Sequence, residues 1–104
     1  YIKMPEGQGA QYPQKLVAGE KGEFVVVIAN HEWQEASYVV EVRIAGVKNN
    51  ESGPILLENG DKWEGLVSFI PEQIGNGQKV EFLLYKQGQD ELYQSVYVWI
   101  DVIE

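Results

Sequence analysis

A single histidine, His31, limits the chemistry this chain can perform. A serine–histidine–carboxylate triad would have to recruit it beside one of four serines, Ser37, Ser52, Ser68 or Ser95. No glycine-rich nucleophile elbow surrounds any of them. There is no cysteine, which removes thiol nucleophiles, thiolate metal sites and disulfides together. One imidazole without cysteine cannot supply the common zinc sets either. Gly7-Gln-Gly9 and Gly75-Asn-Gly77 lack the strand-to-helix setting of a phosphate cradle and read as turns. With 16 acidic residues, some pair will stand at glycosidase spacing by chance, so such a pair carries no information. Glu58, Asn59 and Asp61 in one turn, and Asn49, Asn50 and Glu51 in another, offer oxygen ligands to calcium. Neither has the regular spacing of a dedicated calcium loop, and solvated turn residues are the simpler reading. The expectation is a non-enzyme with no catalytic residue, no metal site and no cofactor.

What remains is aromatic surface. The chain holds three Trp, six Tyr and three Phe. In the last two apolar stretches, Leu83, Tyr85, Tyr97 and Trp99 fall opposite the residues that alternate inward. If Ser37 to Ala45 lies beside them, Val39 joins the set. An exposed apolar patch of this kind marks an interface or a ligand surface. The plainer reading is cover by a loop or the N-terminal segment, or cross-strand pairing of the rings. Trp33, in the loop beside His31, is a second exposed candidate.

The elements that position these rings follow from a period of two between frequent turn formers. Short edge strands fit Tyr1 to Met4 and Lys15 to Val17. Glu23 to Asn30 is a β-branched run that reads as a central strand. Ser37 to Ala45 alternates, with Tyr38, Val40, Val42 and Ile44 on one face and Val39, Glu41 and Arg43 on the other. Gly46 to Gly53 is polar and reads as a loop before a short edge strand, Pro54 to Leu57. Asn59-Gly60 signals a tight turn into Asp61 to Ile70, where Trp63, Val67 and Phe69 share a face with Gly65. Ile74 to Gly77 reads as a loop, Lys79 to Lys86 as a strand, and Gln87 to Glu91 as a polar hairpin loop. Tyr93 to Ile103 turns Val96, Val98, Ile100 and Val102 inward and Tyr97, Trp99 and Asp101 outward.

No window shows helical periodicity. Six or seven strands without crossover helices predict an all-β, immunoglobulin-like antiparallel sandwich, with a small closed barrel as the alternative. The expected core is Val26, Ile28, Val40, Val42, Trp63, Phe69, Phe82, Val98 and Ile100. The 104 residues fit a single domain, with a mobile start over 1–13.

The net charge of −8, with eight basic residues scattered singly, disfavours nucleic acid and anionic lipid as partners. The longest apolar run, Phe24 to Ala29, is far too short to insert in a bilayer. Asn50-Glu51-Ser52 fits the N-glycosylation pattern in a surface segment, a tripeptide that also arises by chance.

Several stretches are familiar together. Val17 to Glu32, Ser37 to Gly46, Leu57 to Glu64, Lys79-Val-Glu-Phe-Leu-Leu-Tyr-Lys86 and Val96-Tyr-Val-Trp-Ile-Asp-Val102 resemble the family called domain of unknown function 1616, from about Pro5 to Val102. The resemblance implies an extracytoplasmic β-sandwich that follows transmembrane helices in archaeal and bacterial membrane proteins. A chain opening on Tyr1 then reads as an excised C-terminal ectodomain. The family carries no activity to transfer. Two readings follow: a structural or interaction module contacting a protein or cell-envelope component, and a carbohydrate-binding module stacking sugars on the same rings. Glu41, Arg43 and Asp101 could bind hydroxyls in the second.

Overall fold

The computed structural model describes residues 1–4, 14–88 and 92–104, and these form eight strands in two facing sheets. β1 (Ile2–Lys3), β3 (Gly22–Ala29) and β6 (Lys62–Phe69) make a three-stranded sheet in the order β1-β3-β6. β2 (Gln14–Val17), β4 (Ala36–Ile44), β5 (Val47–Leu57), β7 (Gly75–Lys86) and β8 (Gln94–Ile103) make the other, in the order β2-β8-β7-β4-β5. Of the expected mobile start over 1–13, residues 5–13 lie outside the described residues, as do residues 89–91 of the expected hairpin loop.

The alternation read from the sequence is what packs the sheets together. β4 buries Tyr38, Val40, Val42 and Ile44, β7 buries Val80, Phe82 and Leu84, and β8 buries Val98, Ile100 and Val102. Phe24, Val26, Ile28, Val67 and Phe69 face them from the smaller sheet. At the centre, Phe24 stacks on Phe69 at 5.8 Å, and Phe82 meets both edge-on. Each such side chain contributes roughly 1.5–3 kcal/mol on leaving water, which is how the sandwich holds together without a disulfide.

Five expectations change. Gly46 to Gly53 is not a loop: β4 and β5 form a hairpin through Ala45-Gly46, both with positive φ, and β5 runs for 11 residues. Its polar residues belong to an edge strand. Asn49 reaches across to β6, where its amide oxygen accepts the Ile70 N–H and its Nδ2 donates to the Ile70 carbonyl, both at 2.7 Å. Asn50 donates to the Ser68 carbonyl at 2.8 Å. Two side chains thus imitate a strand partner and close one margin of the sandwich. Second, the Asn59-Gly60 turn joins strands of different sheets, because β5 and β6 sit on opposite layers. Third, the sandwich is antiparallel except for β2, which runs parallel to β8 with Leu16 opposite Val102. Fourth, Trp63 is only half-buried. It sits on the edge strand β6, and its ring covers Gly65 so closely that a Cβ there would come within 2.5 Å of it. β7 also begins earlier than expected, with an irregularity between Gly75 and Gln78.

Candidate functional site

β4, β7 and β8 are neighbours, so the outward residues singled out in the sequence do share one face. Val39 stands directly opposite Tyr85, Glu41 opposite Leu83, and Arg43 opposite Glu81. On the other side of β7, Leu83 opposes Ser95, Glu81 opposes Tyr97, and Lys79 opposes Trp99. The face is a checkerboard of rings and charges rather than a continuous apolar sheet.

It divides into two parts. Val39 and Tyr85, both half-buried, line a shallow pocket of about 330 Å³ with Glu41, Arg43, Glu51 and Lys86. Glu41 accepts from Arg43 and sits 3.9 Å from Lys48, which also lies 3.6 Å from Glu51. Opposite Val39, β5 spends two residues, Gly53 and Pro54, where β4 spends one. Gly53 adopts φ +127°, and a side chain there would meet the Tyr38 carbonyl at 2.8 Å, so this bulge needs glycine.

Tyr97 and Trp99 form the second part and are 56% and 46% exposed. Their rings stand at 80° with centroids 6.0 Å apart, and the Lys79 ammonium lies 4.5 Å from the Tyr97 centroid. Lys79 was missed in the sequence, though its register opposite Trp99 would have pointed to it.

Leu83 does not join the exposed set. It is 5% exposed although it points away from the sandwich interior. β7 is the middle strand of five, so its outward side chains have neighbours on both flanks and along the strand. Glu81 and Tyr85 precede and follow it on its own row, and Glu41 and Ser95 oppose it.

The loop holding Trp33 is built from side chains. Asn30 is fully buried, donates from Nδ2 to the Gln34 and Leu57 carbonyls at 2.8 and 2.9 Å, and accepts the Glu32 N–H at 2.9 Å. The Trp33 N–H donates to Asn59 Oδ1 at 3.0 Å. Glu32 accepts from Tyr38 Oη at 2.6 Å and pairs with Lys86. Burial pushes the Glu32 carboxyl up. Hydrogen bonds from Lys86, Tyr38 and Tyr93, with the Lys86 charge, outweigh it and hold the group below the usual carboxylate range. Burial and the adjacent Glu32 charge both push the Tyr38 phenol up. Trp33 itself has φ 67°, a left-handed conformation that costs a non-glycine residue about 1–2 kcal/mol, and it is 88% exposed.

The two acidic turns are occupied by the fold. The Asn49, Asn50 and Asn59 amides serve the bonds above, and an Asp61 carboxylate oxygen accepts the Glu58 N–H. Among the described residues no three His, Cys, Asp or Glu side chains gather as a metal site. His31 is exposed and stacks on Tyr1 at 5.4 Å. No helix among the described residues is long and apolar enough to cross a membrane.

Comparison with known proteins places this geometry. Among solved structures, the chain is similar to a CARDB domain from Pyrococcus furiosus. The solution NMR structure gives a TM-score of 0.64 at 16% identity, covering 98% of this chain and 90% of that one. The crystal structure of that domain, described as in complex with di-metal ions, gives 0.62 at 15% identity, over 98% and 84%. The likeness shows an immunoglobulin-like β-sandwich. No curated protein matches the chain. A family model, Domain of unknown function (DUF1616), matches residues 1–101, and the chain belongs to that family.

Proposed function

We propose that this DUF1616 domain is a non-catalytic interaction module on the outer side of a cell membrane, contacting a protein or other envelope component through the β7–β8 face. The observation that carries the reading is the arrangement of Tyr97 and Trp99. Both are exposed within strand β8, where they cost solubility and add nothing to the core. Sugar platforms present ring faces that are free and aligned with one another. Here the rings are perpendicular, and Lys79 lies over Tyr97. Amphipathic rings with a flanking cation suit a protein contact, where Tyr and Trp act as anchors. The extracytoplasmic setting rests on the resemblance of the chain to its family.

The second reading, a carbohydrate-binding module, draws on the other half of the face. Val39 and Tyr85 line a pocket bordered by Glu41, Arg43 and Glu51, polar groups that suit hydroxyls. No metal role is carried over from the Pyrococcus domain, because the asparagine amides that could contribute here are engaged within the fold.

Amide-resolved NMR on the labelled domain separates the two. Titration with envelope polysaccharide fragments is expected to leave Tyr85, Tyr97 and Trp99 unmoved at millimolar ligand. Shifts concentrated at those residues would replace the protein reading with the sugar one.

A further inference from the structure

The β3–β4 loop presents Trp33 at the end of the sandwich, where β4 begins and β7 finishes. Trp99 lies level with the last residue of β4, since Lys79 opposes Trp99 and Val80 opposes Ile44. Eight residue steps along β4, at about 3.4 Å each, set the two tryptophans about 27 Å apart along the strand direction. They serve different surfaces.

Trp33 is the most exposed large apolar residue among those described, and its ring makes no aromatic or cation contact there. Its left-handed backbone is nevertheless held on every side. Asn30 fixes Glu32 before it and Gln34 after it, Asn59 takes its own N–H, and Lys86 and Tyr38 hold Glu32. These restraints come from β4, β7 and the β5–β6 turn, so the loop is fixed by the whole end of the sandwich. A loop that only had to connect β3 to β4 would need neither the strained residue nor the large indole. Non-glycine residues held in such a conformation by their surroundings gather at binding sites, and an anchor already fixed loses little freedom on docking.

The charge around the indole says what kind of partner fits. Glu35 lies two residues on, and Glu58 and Asp61 flank the Asn59 that holds Trp33. All three are exposed and none forms an ion pair among the described residues. Lys62, beside Asp61, is the one exposed base in the same turn, and Lys86 is spent on Glu32. Three acids against one base repel an anionic lipid surface. We propose that Trp33 is the anchor of a second contact, inserting into an apolar socket rimmed by Lys or Arg on a partner protein.

The test places a photo-crosslinking benzoylphenylalanine at position 33 of the protein in its source cells, with the same residue at Leu66, exposed on the outer face of β6, as the control. A discrete protein adduct from position 33 and not from 66 is expected. Its yield should fall at least about five-fold in the Glu35→Gln/Glu58→Gln background and in high salt, as charge-steered docking requires. Equal adducts at both positions, adducts indifferent to salt and to the glutamine changes, or no adduct would overturn the proposal. Two readouts guard the structural alternatives. Trp33→Ala should melt within about 2 °C of the parent, whereas a fall beyond about 5 °C would make the indole part of the fold. In a Trp63→Phe/Trp99→Phe background, which leaves Trp33 as the sole indole, its emission should stay unshifted with phosphatidylcholine–phosphatidylglycerol vesicles, and a blue shift would give the indole to lipid instead.

Discussion

The two faces of the five-stranded sheet are made by the same strands, yet they obey different rules. On the inner face, Tyr38, Val40, Val42, Val80, Phe82 and Leu84 are all fully buried, because a second sheet lies against them. On the outer face the outcome changes residue by residue. Leu83 is buried, Val39 and Tyr85 are half-buried, and Tyr97 and Trp99 stand out into solvent. Inner burial is imposed by architecture, while outer burial is settled by the length of each neighbour and by the strand's place in the sheet. The exposed positions of the outer face, Tyr97 and Trp99, are therefore where small sequence changes can create or remove a contact surface with little effect on stability.

Substitutions can break or sharpen that contrast. The largest effect belongs to the inner face. Phe82→Ala removes a ring that touches both Phe24 and Phe69, and should cost about 3–5 kcal/mol in denaturant unfolding. Leu83→Ala should cost about 2 kcal/mol, at the low end for a buried leucine, because solvent can reach part of the space it leaves. A cost below about 0.5 kcal/mol would mean its burial is only cover by mobile side chains.

Glu32→Gln asks where the inner face ends, since Tyr38 is buried while its hydroxyl reaches this carboxylate. The expected loss is about 1 kcal/mol at neutral pH, that of a charge-assisted hydrogen bond near the surface. The folded state holds the Glu32 carboxyl below its unfolded value. Its contribution is therefore present above the unfolded pKa of about 4.3, and is lost as pH falls through the lower folded pKa. Unfolding measured from pH 6 downward should show a shallower acid limb in the variant, and an unchanged limb would remove Glu32 from the account. The smallest effect is expected for Trp99→Ala, within about 0.5 kcal/mol of the parent. A loss near that of Phe82→Ala would show that the outer rings belong to the fold.

Much of the sandwich was legible because its inner strands alternate strictly, and the inward sets of β4, β7 and β8 could be read off directly. β5 was not legible. Lys48 to Ser52 is polar at every position, since an edge strand on the rim of a sandwich has little interior to face. Nothing local announces that Asn49 and Asn50 will serve as strand partners for β6, a role that depends on residues about twenty positions away. The parallel pairing of β2 is likewise set by its partner β8, at the far end of the chain. That Val39, Tyr85, Tyr97 and Trp99 share one outer face followed from alternation and strand adjacency. Leu83 needed the sheet order, because only a central strand can bury an outward leucine. Trp33 could be seen as exposed, but its presentation could not, since Asn30, Asn59 and Lys86 converge on the loop only through the fold.

Asn49 and Asn50 carry one last consequence. A bare strand margin is a template on which copies of a chain can stack backbone to backbone, the route by which sandwiches form fibrils. At the Ser68–Ile70 end of β6 that template is already filled by two amides, and farther along Lys62 and Glu64 put charge beside the remaining backbone. Such a domain can be packed at high density without its sheets running together, and the bonds that protect it are made by the same polar run that looked, in the sequence, like idle loop.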